Sequence, residues 1–333
     1  MKISKSLCVV ASLVLLGLVF SAKANAAEVI EMKLGGINPP TVPMTMAHLK
    51  FAELIKEKSN GRIVVNVYPA SQLGDATSQI AQVMSGGIDM FGAADSFYAQ
   101  YVNDFRVLAA PYLFENEAQV KKFLASPYYT EITNQLIAKM GVREIVGGLI
   151  RPPEVLEATK PIRKLGDFKG IMMRVPEIEI YKLFAEALGA NIVRVAWGEM
   201  YMALSQGVCQ ALIPPLDAIY PNKLHLVAPY ILLTRHNWSR GTIIINEKRF
   251  QALSPADQKL MYDAAKETND WFVTISQNEL SQQMEKMKSQ GAVFYEVEDP
   301  AEFKGAMQKF VSDLDAKGYW RKGLYTDIRA YVK

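Results

Sequence analysis

Side chains suited to covalent or metal chemistry are scarce in this chain: three histidines, His48, His225 and His236, and two cysteines, Cys8 and Cys209. No His-Glu-x-x-His pattern, Gly-x-Ser-x-Gly elbow, P-loop or Gly-x-Gly-x-x-Gly turn occurs,. Each histidine reads as an ordinary helix or loop residue. A nucleophile and base formed by Cys209 with His225 or His236 stays open, because catalytic partners need not be neighbours in sequence. A secreted hydrolase or transferase built on that pair is the enzymatic alternative, and turnover of an acid by the purified protein would reveal it. No other constellation for turnover is legible, and no metal or cofactor is implied.

The elements that must position any site begin after an export signal. Lys2 and Lys5 precede an apolar run from Leu7 to Phe20 that is too short to span a bilayer, and Ala24-Asn25-Ala26 offers small residues for cleavage,. Residues 1–26 therefore read as a signal peptide, and the mature chain is expected to be soluble and periplasmic. Cys8 lacks the small residues of a lipobox before it, so no lipid anchor or membrane insertion is expected. Cleavage removes Lys2, Lys5 and Lys23 and no acid, so the formal charge of +3 falls to zero. That balance argues against nucleic acid or an anionic membrane as the main partner. Only Cys209 survives, so no internal disulfide forms and the core must carry stability. The remaining chain, half apolar and roughly 300 residues long, suffices for two lobes of ordinary size,.

Strand-like and helix-like patterns take turns along it, which predicts an α/β architecture with mostly parallel sheet. Val29 to Leu34 alternates like a strand. Met44 to Ser59 carries Leu49, Ala52, Leu54 and Ile55 at helical spacing and stops at Asn60-Gly61, and Ile63 to Tyr68 is β-branched,. Further strands are predicted at Ile88 to Phe91, Val142 to Leu149, Gly170 to Val175, Asn191 to Val195 and Thr242 to Asn246. Ser254-Pro255 opens a helical pattern running towards Gln290, long enough to pass from one lobe to another,.

The stretch from Gly148 to Tyr201 holds Arg151-Pro152, Lys160-Pro161, Leu165-Gly166-Asp167-Phe168-Lys169-Gly170, Met173-Arg174-Val175-Pro176, Leu188-Gly189-Ala190 and Trp197-Gly198-Glu199-Met200-Tyr201. Its order and spacing resemble the extracytoplasmic receptors of TRAP (tripartite ATP-independent periplasmic) transporters. Asn60-Gly61-Arg62, Tyr68-Pro69, Gln72-Leu73-Gly74 and Gly87-Ile88-Asp89-Met90 agree in the first half, so the resemblance covers nearly the whole mature chain. It implies a type II-like periplasmic binding protein fold: two α/β lobes, crossing strands, a long lobe-spanning helix and a ligand cleft between the lobes. The implied boundaries are residues 27–148 plus 240–278 for lobe I and 149–239 plus 279–333 for lobe II. The implied partners are a small organic acid and the membrane permease subunits, with binding and no chemistry. A ligand sensor for a membrane kinase is a further alternative.

The resemblance also assigns site residues. Arg174 matches the arginine that pairs with the substrate carboxylate, a role suited to a planar guanidinium with parallel donors; read locally, it would bond Glu177 or Glu179. Arg151 matches a second family arginine at the entry to lobe II, either touching ligand, locking Arg174, or forming an interdomain salt bridge. Trp197 falls where the family sets an aromatic residue against the ligand, the alternative being a place in the lobe II core. Asp95, Tyr98 and Asn38 are the polar candidates of lobe I, with Tyr98 favoured over Asp95, which would repel an acid. Where many relatives have an Asp-Gly-x-Glu-Asn-Pro-like segment, this chain reads Gln210-Ala211-Leu212-Ile213-Pro214-Pro215. Ile213 and Pro214 then predict an apolar wall that disfavours polyhydroxylated sugar acids, since a hydroxyl buried there without a partner costs about 1–3 kcal/mol. Trp238 is expected either to add a second aromatic wall or to pack at the hinge.

Overall fold

The computed structural model describes residues 29–333, so the expected signal peptide lies outside the described residues. The chain runs β1 (Ile30–Gly36), α1 (Pro43–Lys58), β2 (Ile63–Tyr68), α2 (Ala76–Ser85), β3 (Met90–Ala94), α3 (Glu117–Leu124), α4 (Pro127–Met140) and β4 (Val142–Ile150). It then crosses into a second lobe with β5 (Leu156–Ala158), β6 (Met172–Val175), α5 (Glu179–Ala187), β7 (Asn191–Arg194), α6 (Met200–Ser205), β8 (Ala211–Leu212), α7 (Leu216–Ile219) and β9 (Tyr230–Leu232). The return is β10 (Arg240–Asn246), α8 (Glu247–Gln251) and α9 (Pro255–Ser289), followed by β11 (Val293–Tyr295), α10 (Pro300–Ala316) and α11 (Leu324–Val332).

Local chemistry sets these boundaries. Pro43 opens α1, where a missing N–H costs nothing, and Asn60 and Gly61 at φ 53° and 78° reverse the chain into β2,. β1 and β2 then pair in parallel with Ile30 opposite Ile63. Ser254 caps α9 by accepting from the Asp257 N–H, and Pro255 follows,. This 35-residue helix sets Met261, Ala264 and Phe272 into the core of the first lobe and Met287 into that of the second. It therefore spans both lobes.

Among the described residues the first sheet has the order β2-β1-β3-β10-β4 and the second β11-β9-β5-β8-β6-β7. They are mixed, in contrast to the mostly parallel sheet expected. β10 runs antiparallel to β3 and β4, and β5 antiparallel to β8 and β9. The reason is topological: β4–β5 and β9–β10 are the two traverses between lobes, and they enter each sheet in opposite senses. Arg240 lies opposite Ile150, and the Arg151 and Glu154 N–H groups donate to Ser239 and Asn237 at 3.2 and 2.8 Å, so the traverses travel side by side.

One polar residue defies the second lobe's core. In β5, Leu156 and Ala158 face one apolar cluster and Glu157 the other, beside its register partners Leu212 and Ile231,. Glu157 is fully buried and neither carboxyl oxygen has a partner. Burial pushes its carboxyl well above the ordinary 4.5,. The folded state then binds a proton that the unfolded state releases, so this group costs stability as pH rises above 4.5 towards the folded pKa,. Glu157→Met is expected to stabilise the protein by about 1–3 kcal/mol at neutral pH and by less near pH 4. Urea unfolding at both pH values checks this; an equal effect at both would mean that burial does not hold the proton.

Candidate functional site

The site is built at strand ends that face each other across the lobes, where α/β sheets bind ligands. β6 sits between β7 and β8, with Arg174 opposite Val193 and Leu212. Its guanidinium is buried. Nε donates to the Val195 carbonyl at 2.9 Å, while among the described residues Nη2 has no acceptor and no carboxylate lies within ion-pair distance. Glu179, which the local reading offered as partner, pairs instead with Lys182 and Arg194. Burial lowers the Arg174 pKa to about 10, so the group stays charged at neutral pH,. The ring of Trp197 lies 5.8 Å from the guanidinium carbon, and its Nε1 is a second buried donor without an acceptor.

Arg174 and Trp197 stand in the wall shared by two compartments of one cleft. The outer one, about 460 Å³, is lined by Ile37, Ser71, Asp75 and Thr77 of the first lobe and Glu177 and Val195 of the second. The inner one, about 340 Å³, is lined by Ser96 and Phe97 from the first lobe and by Arg151, Glu154, Tyr181 and Ile213 from the second. Phe97 and Pro176 border both. The cleft thus combines a buried guanidinium with an open donor, two aromatic side chains, Phe97 and Trp197, and a lining that is part apolar and part polar.

The other expected residues fall in different places. Arg151 borders the inner compartment but is taken up by Asp217, whose carboxylate accepts from Nε at 3.2 Å and Nη2 at 2.6 Å with both groups buried. Asp95 is likewise committed, to Arg240 at 2.8 Å. Tyr98 does not line the cleft: its hydroxyl lies 2.6 Å from Thr242 Oγ1 and its ring packs edge-on against Phe105. The physical reason is the 3-10 turn Asp95–Gln100, which repeats every three residues and so puts Asp95 and Tyr98 on its buried face and turns Phe97 into the cleft,. Ile213 and Pro215 line the inner compartment, whereas Pro214, between them on an extended segment, points away and accepts from the Val155 N–H,. Asn38 is buried with an unpartnered Oδ1, outside the lining of either compartment. Trp238 is half-buried against the apolar cluster and also outside that lining.

Glu154, Tyr181, Phe97 and Asp217 were not read from the sequence as site residues. Glu154 had the best signal, a carboxylate held by Pro152-Pro153 three residues after Arg151. His225 Nε2 lies 2.6 Å from Gln290 Oε1 and His236 Nδ1 2.7 Å from Thr234 Oγ1, while His48 is buried in the first lobe with no partner for either ring nitrogen among the described residues. Cys209 is buried beside Arg174, and desolvation pushes its thiol up to about 11, away from the reactive thiolate form,.

Residues 34–317 match the family model of bacterial extracellular solute-binding protein, family 7. The chain belongs to this family, the periplasmic solute receptors of TRAP transporters. It is 28% identical over 291 residues to solute-binding protein RD1_1052 of Roseobacter denitrificans, covering 87% of this chain and 89% of the relative. The structure of RD1_1052 with bound L-galactonate superposes with TM-score 0.84 at 25% identity, covering 92% of this chain and all of that one. A TRAP solute-binding protein of Ochrobacterium anthropi with bound L-fuconate gives TM-score 0.85 at 26% identity, with the same coverage. The uncharacterised protein y4mM of Sinorhizobium fredii is 30% identical over 72% of this chain, which spans only 44% of that relative.

The buried pair at the entry to the second lobe yields a test independent of any ligand. Asp217→Ala leaves the Arg151 guanidinium buried without its acid and is expected to destabilise the protein by about 3–5 kcal/mol. Denaturant unfolding measures it; a loss below about 1 kcal/mol would place the compensating charge elsewhere.

Proposed function

We propose that this protein captures a small organic monocarboxylate between its lobes, with the carboxylate on Arg174, and delivers it in the periplasm to a TRAP permease. The observation that carries this is the buried Arg174 Nη2, a charged donor facing the cleft with no acceptor. A buried charged donor left without an acceptor costs at least about 1–3 kcal/mol, and a carboxylate removes that cost with a charge-assisted bond. The sugar acids bound to the two similar structures support a carboxylate as the anchored group. The proposed lobes are residues 27–148 plus 240–278 and 149–239 plus 279–333, with residues 1–26 removed on export, and the role is binding without turnover.

The ligand's body is proposed to be apolar or aromatic, as in aryl or branched-chain oxo and hydroxy acids, because Phe97, Trp197, Ile213 and Pro215 surround the space beside Arg174. Such a wall rewards apolar area at about 25 cal/mol per Å² removed from water. The sugar acids of the neighbouring structures favour a second reading, an aldonic or uronic acid whose hydroxyls meet Ser96, Glu154 and Tyr181.

A thermal-shift panel with the carboxylate held constant decides between them: branched oxo acids, aryl and indolyl acids, then uronic and aldonic acids, each hit followed by calorimetric titration. Arg174→Ala is expected to weaken any hit by about 2–5 kcal/mol and Arg174→Lys by less, with the fold intact. Unchanged affinity in Arg174→Ala would remove Arg174 from the site. Closure around the bound acid should be hinge-like, so small-angle scattering is expected to show a more compact liganded form; identical curves at confirmed occupancy would mean a rigid site.

A further inference from the structure

The inner compartment contains a carboxyl group that the binding of an acid does not require. Glu154 is buried, and its Oε1 accepts from the Tyr181 hydroxyl at 2.6 Å while Oε2 accepts from Asn237 Nδ2 at 3.1 Å. Its backbone is fastened as well: its N–H donates to the Asn237 carbonyl at 2.8 Å, and it forms an isolated bridge with Pro215. These bonds hold the carboxyl in the compartment that it shares with Arg174.

We propose that Glu154 is a specificity residue of this cleft, which makes the receptor select monocarboxylates and reject acids carrying a second carboxylate; the proposal rests on the Arg174 anchor argued above. The charges lining the cleft lead to it. Among the described residues lining the cleft, Arg174 is the one cation without an acid, because Asp217 neutralises Arg151. Every other charged lining group is a carboxylate, Asp75 and Glu177 outside and Glu154 inside. A ligand's first carboxylate meets Arg174; a second finds no free guanidinium and a buried acid of its own sign.

Protonation of Glu154 adds a second readout. Tyr181 and Asn237 donate to it, and Arg151 on its own segment favours the charged form, while Asp95 of the first lobe opposes it. His236, with Nε2 3.9 Å from Oε2, is kept neutral by burial, its pKa lowered to about 3. Desolvation outweighs the favourable contacts and raises Glu154 to about 7,. Above that value the ionised carboxylate repels even a single bound acid. Affinity for a monocarboxylate is therefore expected to fall as pH rises through about 7, by up to about tenfold per unit,.

The test compares acids of matched body: α-ketoisocaproate with α-ketoglutarate, and galactonate with galactarate, titrated calorimetrically into wild type, Glu154→Gln and Glu154→Asp at about pH 6 and about pH 8. The wild type should prefer the monocarboxylate by at least about tenfold in whichever pair binds. Glu154→Gln should cut that preference about tenfold and abolish the fall in affinity with pH, and Glu154→Asp should keep the preference. Equal binding of both members by the wild type, or an unchanged preference in Glu154→Gln, would overturn the proposal while leaving the Arg174 anchor standing. If no acid in either pair or in the wider panel binds the wild type, the carboxylate reading itself fails and takes this inference with it.

Discussion

The architecture depends on how two adjacent strands carry charge between the lobes. Arg151 and Arg240 stand on neighbouring traverses, Arg240 opposite Ile150 and the Arg151 N–H bonded to the Ser239 carbonyl. They are tied in opposite directions. Arg240 reaches into the first lobe, to Asp95 through Nε at 3.0 Å and to the Gly147 carbonyl through Nη1 at 2.7 Å, with its guanidinium carbon 4.8 Å from the centre of the Tyr129 ring. Arg151 is held by Asp217 in the second lobe. Buried ion pairs contribute little net stability, but breaking one is costly, so each lobe end is fastened to its traverse in one geometry. The strand ends that bear Phe97 and Arg174 are thereby set facing each other.

Against that background Arg174 is the exception. Arg151 and Arg240 spend their charge on aspartates, whereas Arg174 gives one bond to a carbonyl and leaves a buried amino group open. Among the described residues no acid pairs with it, although Glu154 lines the same compartment, and the Trp197 ring lies beside it. A buried charged donor left open calls for an explanation, and it is the observation on which the proposed carboxylate anchor rests,.

Much of this was legible in the sequence, for identifiable reasons. The long helix announced itself through Ser254-Pro255 and its length, and Arg174 through the ordered run of short motifs around it. Faces were harder to read. Asp95 and Tyr98 looked like the polar pair of the first lobe, yet a three-residue repeat buries both and exposes Phe97 between them, and no local signal distinguishes that turn from a strand end,. Pro214 failed for a similar reason, a one-residue shift along an extended segment that hands its place to Pro215. The partners of buried acids were beyond reach altogether. Glu154 and Glu157 lie three residues apart on one segment, and only tertiary placement sends the first into a cavity with two donors and the second into an apolar core with none.

The distribution of charge also says where affinity originates. The expected mature chain carries no net charge, and the exposed rim of the cleft presents Asp75 and Glu177, so an approaching anion is not drawn in from a distance,. Long-range steering would need the opposite sign at the mouth. On the proposed reading, attraction arises instead at the buried Arg174 guanidinium, where the effective dielectric is lower and a single charge interacts more strongly than it would at the surface,. For the ligand proposed above, that arrangement would favour retention over capture, with affinity set by release more than by encounter. It also gives the proposed balance of Arg174 against Glu154 its weight, since a buried charge left unpaired is costly whichever its sign,.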